Sequence, residues 1–170
     1  MRSERILQAC LGISLVILIV QVARSVREPN VNVGDRAPHF EIRADNGRTL
    51  TLDSYKGRVL VLNFWATWCP PCVEELPSLN ELSKQLGDSG VTVLGVSVDR
   101  NEPGYKQFLN RFGVAFETAR DPDGAVSSSY GTFKFPETYV IDKEGVVRQK
   151  HINSQNWLDP AIIGGIKALL

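Results

Sequence analysis

The chain has 170 residues, 43% of them apolar, with 19 basic and 19 acidic side chains, enough for one domain with its own core plus an appendage. Zero net charge and the lack of any basic run leave no electrostatic footprint for a polyanion, which excludes nucleic acid as a partner. Only two of the three cysteines lie beyond residue 10, so a framework of structural disulfides is excluded too.

Residues 6–23, "ILQACLGISLVILIVQVA", carry no charge. As a helix they would reach roughly 27 Å, close to the roughly 30 Å hydrocarbon core of a bilayer. The following "VQVARS" lacks the small residues of a cleavage site, so the expectation is an uncleaved single-pass anchor, with a cleaved signal as the alternative. A lipid-attachment reading of Cys10 fails, because the apolar run follows that cysteine instead of preceding it. Arg2 and Arg5 before the span balance Arg24 and Arg27 after it, so charge does not orient it. The organisation read from this is an anchor region over 1–28, a polar tether over 29–37 and a folded domain over 38–170.

Within the domain, "HFEIRADNGRTLTL" alternates around Asn46-Gly47 and predicts a hairpin. "RVLVLNFW", Arg58 to Trp65, is an almost unbroken apolar run, as for a strand buried on both faces. From Pro70 to Leu86 the residues Val73, Leu76, Leu79, Leu82 and Leu86 recur at helical spacing, with Gly87 closing the segment. Pro77 interrupts this pattern and is expected to kink the helix. A second buried strand follows over Val91 to Asp99. Next come a helix over Glu102 to Phe112 stopped by Gly113, and a short strand over Ala115 to Thr118. "ETYVID" and "VVRQKHI" form a hairpin around residues 143–145, and Asp159-Pro160 opens a last helix. This order predicts an α/β fold, a central mixed sheet with helices on its faces.

Cys69 and Cys72 thus fall where a central strand becomes a helix. A zinc site would need four ligands, and beyond this pair only His39 and His151 remain, without ligand spacing. A staple closing so small a loop would contribute little chain entropy. Two inert thiols would not account for their place at a helix start, where the dipole and unpaired amides favour a thiolate. Redox chemistry is therefore the reading, with an exposed Cys69 as nucleophile and Cys72 as resolving thiol. Glu75, three residues after Cys72, shares its helix face, whereas Glu74 does not. Glu75 is expected to handle the Cys72 proton; a plain helix-start charge is the alternative. Both residues between the cysteines are proline, so only the Cys72 N–H can donate to the Cys69 sulfur. Scarce donors destabilise the thiolate and make the dithiol a reductant.

"NFWATWCPPC" and the element order around it resemble the membrane-tethered TlpA/ResA/CcmG-like thiol-disulfide oxidoreductases, a branch of the AhpC/TSA redoxin superfamily. The resemblance runs from residue 33 to 170. It implies a thioredoxin-like fold with an N-terminal hairpin and an inserted αβ unit, consistent with the 37 positions between Asp99 and Pro136. It implies a cis-proline at Pro136 opposite the dithiol, with Trp68, Phe135 and Pro136 contacting substrate and Phe135 lending it backbone hydrogen bonds. Thioredoxin carries a buried aspartate six residues before its nucleophile; Asn63 stands there in this chain and cannot titrate. The group implies no cofactor, a monomer, oxidised protein substrates such as an apocytochrome c, and a membrane-bound thiol electron donor. It places the domain on the periplasmic side of the inner membrane. Glu137, next to Pro136, is either a second charge near the site or a surface residue. Competing functions are a peroxiredoxin-like peroxidase, a copper-site assembly factor using His39 or His151 as an extra ligand, and a non-catalytic binding module.

Overall fold

A computed structural model of the chain describes Gln8, residues 12–21 and residues 30–170. Residues 12–21 are helical (α1) with exposed side chains. No helix among the described residues is long and apolar enough to cross a membrane, and the ends of the expected 6–23 span lie outside the described residues.

Strands β1 (Glu41–Arg43) and β2 (Thr49–Thr51) form the expected hairpin, with Gly47 taking a positive φ of 85° in its turn. A 3-10 turn over Leu52–Tyr55 leads to β3 (Val59–Trp65), every residue of which is buried. Helix α2 (Pro70–Leu86) follows, then β4 (Val91–Ser97), α3 (Glu102–Phe112), β5 (Glu117–Arg120), α4 (Ala125–Ser129), β6 (Glu137–Ile141), β7 (Val147–Ile152) and α5 (Pro160–Lys167). The main sheet has the order β5-β4-β3-β6-β7. Its β3, β4 and β5 run parallel, while β6 and β7 are antiparallel to their neighbours. This is a thioredoxin-like fold with a central mixed sheet, as predicted.

The period of two along β3 divides the core. Leu60, Leu62 and Phe64 pack with the β1–β2 hairpin, Tyr130 and Tyr139. Val59, Val61 and Trp65 pack with Leu76, Leu79, Leu82 and Leu86 of α2, with Tyr105 of α3 and with Ile166 of α5. Helix α2 runs unbroken through Pro77. Gly113 ends α3 in the left-handed conformation at φ 60°. Two differences from the sequence reading stand out. Strand β5 begins at Glu117, not Ala115, because its pairing with Leu94 of β4 starts there. Helix α4 carries no apolar periodicity; the buried Asp121 holds its start by accepting from the Val126 and Ser127 amides at 3.2 and 2.8 Å. Residues of the expected tether contact the domain: Val31 N–H donates to the Tyr130 carbonyl and Gly34 N–H to that of Val147.

Gly95, at the middle of β4, leaves no room for a side chain. A Cβ there would meet Phe116 Cε2 at 2.7 Å and Trp65 Nε1 at 3.0 Å. Gly95→Ala is expected to cost about 1–3 kcal/mol by overpacking, measured as a lower urea midpoint with an unchanged slope.

Candidate active site

The site is built where β3 ends. Strand pairing carries the chain to Trp65, and the next four residues turn it into α2. Asp99, just past β4, pins that turn: its buried carboxylate accepts from Thr67 N–H at 2.8 Å, Thr67 Oγ1 at 2.7 Å and Ser97 Oγ at 2.6 Å. The sequence reading used Asp99 only to mark a strand end; a carboxylate two positions past a buried strand was the available signal.

Cys69 is the N-cap of α2, and its sulfur accepts from the Cys72 amide at 3.3 Å. Pro70 and Pro71 occupy the first two helical positions and have no N–H to offer. The two sulfurs are joined in a disulfide, with Cα atoms 5.3 Å apart. Cys69 retains 5% exposure against 1% for Cys72. The order is the expected one, but Cys69 is buried and not exposed, because both sulfurs pack into the α2-side core and Phe135 packs against it. Trp68, beside Cys69, is 65% exposed, and its ring meets that of Phe135 edge-on at a centroid distance of 6.1 Å.

Phe135-Pro136 is a cis peptide. The pairing of Phe64 with Glu137, extended by one residue, sets Pro136 beside Trp65 at the end of β3 that leads to the cysteines. The Pro136 carbonyl accepts from Asn153 N–H at 3.0 Å. Among the described residues, the Phe135 N–H and carbonyl have no backbone partner.

Glu75 lies in the buried stripe of α2 at 3% exposure, so it is no solvated helix-start charge. Three donors meet its carboxylate. Asn63 Nδ2 reaches Oε1 at 2.8 Å, while Gln155 N–H and Trp157 Nε1–H reach Oε2 at 3.1 and 3.0 Å. Burial raises its pKa, and these three donors oppose the rise only in part. Asn63 Nδ2 also donates to Thr138 Oγ1 across the β3–β6 pair at 2.8 Å, whereas Asn63 Oδ1 is a buried acceptor with no partner among the described residues. Sequence reasoning missed Thr138, Gln155 and Trp157, and nothing in the local pattern marks them.

Glu137 adds no free charge to the site. It is buried, pairs with Lys150 Nζ at 3.0 Å and accepts from Tyr139 OH at 3.0 Å. His39 lines a cavity of about 270 Å³ with Arg58, Asp142 and Lys143. His151 is taken up by Gln149, 3.0 Å away, and by the edge of Trp157. Among the described residues no group of three or more His, Cys, Asp or Glu side chains is placed to hold a metal ion.

Comparison with known proteins agrees with this geometry. The AhpC/TSA family model matches residues 33–150. The chain is similar to the thiol-disulfide oxidoreductase ResA of Bacillus thuringiensis, at 33% identity over 124 residues covering 73% of this chain and 72% of the relative. It is similar to the thioredoxin-like protein YneN of Bacillus subtilis, at 30% identity over 151 residues covering 84% and 88%. Its fold is similar to the crystal structure of a Chlorobium tepidum protein assigned as the thiol:disulfide interchange protein DsbE. That match has a TM-score of 0.77 and 29% identity and covers 82% of this chain and 99% of that one.

Proposed function

This chain belongs to the AhpC/TSA family and is a thiol-disulfide oxidoreductase of thioredoxin-like fold, and from that premise we propose that it works as a membrane-tethered reductant of protein disulfides outside the cytosol. The observation that carries the direction is the donor set at Cys69. One backbone amide, that of Cys72, meets its sulfur, and the two prolines between supply none. A hydrogen bond to a charged group contributes about 1.5–3 kcal/mol, and about 1.4 kcal/mol corresponds to roughly 30 mV in a two-electron couple. Each missing donor therefore moves the potential by tens of millivolts toward the reducing end.

In the forward reaction the Cys69 thiolate attacks a substrate disulfide, forms a mixed disulfide and expels one substrate thiolate, which takes a proton from solvent. Cys72 then gives its proton to the Glu75 carboxylate and attacks the Cys69 sulfur, expelling the second substrate thiolate. Two electrons have passed to the substrate, and the pair is left as the enzyme disulfide. A carboxyl with a raised pKa suits this step, because a base works best when its pKa lies near the working pH. The free backbone groups of Phe135 suit a substrate strand laid beside it, with Trp68 and Pro136 flanking. The substrate is an oxidised protein of the apocytochrome c type, and a membrane thiol carrier returns the electrons. The anchor over 6–23 rests on its 18 uncharged residues. The peroxidase and copper-assembly readings are not favoured, given the relatives' names and the positions of His39 and His151.

Equilibration of the Cys69–Cys72 pair against a thiol buffer tests the direction. The expected potential lies well below the about −120 mV of strong oxidases; a value near that figure overturns the proposal.

A further inference from the structure

The carboxyl of Glu75 is not held symmetrically. Its Oε2 faces two groups that can only donate, a backbone N–H and an indole N–H. Its Oε1 faces a carboxamide, which can donate through Nδ2 or, rotated by half a turn, accept through Oδ1. A hydroxyl on Oε2 would set its hydrogen against one of these two donors, neither of which can turn to accept it. A hydroxyl on Oε1 is satisfied once Asn63 turns, since its oxygen then accepts both from Glu75 and from Thr138 Oγ1. Asn63 Oδ1, buried and without a partner among the described residues in the present orientation, is the acceptor that this second state requires, and the turn puts Nδ2 in its place.

We infer that Trp157 is a positioning residue for the reaction: with the Gln155 amide it holds Glu75 Oε2 as a permanent acceptor and confines the exchangeable proton to Oε1, on the Asn63 side. This rests on the reading of Glu75 as the proton handler for Cys72. Trp157 is built for such a task. It is fully buried, and its own amide donates to Ser78 Oγ at 3.2 Å. The segment that carries it is tied down at its start, where Asn153 adopts a φ of 71° and donates to the Pro136 carbonyl. The two donors on Glu75 Oε2 thus belong to a stretch of chain that also grips the cis-proline next to the substrate strand.

The groups around Glu75 are few. Asn63 on β3 and Thr138 on β6 are uncharged, Cys72 precedes it on α2, and Glu74 points to solvent. His151 on β7 lies behind Trp157 with ring centroids 5.3 Å apart, and burial holds its pKa below the ordinary value.

The test is the pH dependence of mixed-disulfide release by Cys72 in the full-length protein. Trp157→Phe removes one donor from the carboxylate, so the limb set by Glu75 is expected to move alkaline by about one pH unit or more. No such shift is expected when Glu75→Gln is already present, and His151→Asn should leave the limb in place. In the unaltered chain labelled with 15N-tryptophan, the indole resonance in through-space contact with the His151 ring should titrate with the same midpoint. A limb that stays put in Trp157→Phe, with only a uniform loss of rate, overturns the inference. So does an indole signal that does not move through that range, a readout that also decides the matter if Trp157→Phe does not fold. If Glu75→Gln alone leaves the profile unchanged, the proton-handling proposal fails, while the indole titration still reports whether Oε2 is held.

Discussion

Cys69→Ser is expected to lower disulfide reduction by on the order of 10³-fold or more, the scale on which loss of a catalytic nucleophile is felt, while Cys72→Ser is expected to stop the reaction halfway and accumulate a covalent complex. The asymmetry follows from the geometry. Cys69 caps α2, where the helix dipole and the Cys72 amide favour its thiolate, and it retains more of its surface than Cys72. Cys72 lies one turn into the helix with its sulfur sealed from solvent, so a substrate cannot reach it first. Replacing Cys72 leaves the first attack intact and removes the thiol that resolves it. Non-reducing electrophoresis should then show an adduct that dithiothreitol releases, and its mass identifies the substrate class. Equal trapping by both single variants would mean that either sulfur attacks, contrary to their order of burial. A non-catalytic binding module would instead keep its function in Cys69→Ser.

What the sequence displayed well was whatever local pattern encodes. The apolar run Val59 to Trp65, the helical recurrence of Leu76, Leu79, Leu82 and Leu86, the Gly113 stop and the Asp159 cap all place elements within a residue or two. The dithiol was legible because strand, cysteines and helix are contiguous. The surroundings of Glu75 were not, because its partners come from β3 and from the segment after β7. Gln155 and Trp157 lie 80 and 82 positions away, and no spacing rule joins them. The helix face that Glu75 shares with Cys72 is legible from their spacing, yet what determines its charge is a tertiary arrangement. Glu137 shows the same limit: only the fold brings Lys150 against it. Helix α4 is a third case, since "AVSSS" has poor helical propensity and stands on the Asp121 carboxylate instead.

Glu75→Gln is expected to separate stability from chemistry by moving them in opposite directions. The amide is close to isosteric: its oxygen can accept from Gln155 N–H and Trp157 Nε1–H, and its nitrogen can donate to Asn63 once that carboxamide turns to present Oδ1. One end of the Asn63 carboxamide is without a partner among the described residues in either case, Oδ1 in the native site and Nδ2 after the turn, and a buried charge is removed. The sign of the pH dependence follows from the raised folded-state pKa of Glu75. A carboxyl that binds its proton more tightly when folded supports the fold fully below its unfolded pKa, ordinarily 4.5. That support fades as pH rises through the folded value. Above it, the ionised group costs stability that the amide does not. Urea unfolding of the oxidised protein should therefore find Glu75→Gln at least as stable as the native chain at pH 7, with the difference shrinking toward pH 4. Catalysis should move the other way. Loss of a positioned base costs about 10²–10⁴-fold, so resolution of the mixed disulfide by Cys72 should slow by at least about 10²-fold near neutral pH. The variant should approach the native rate only at alkaline pH, where Cys72 ionises unaided. A variant that is less stable at pH 7 would show that the charge is part of the fold's support; one that resolves the mixed disulfide with the native rate and pH profile would remove Glu75 from the proton path.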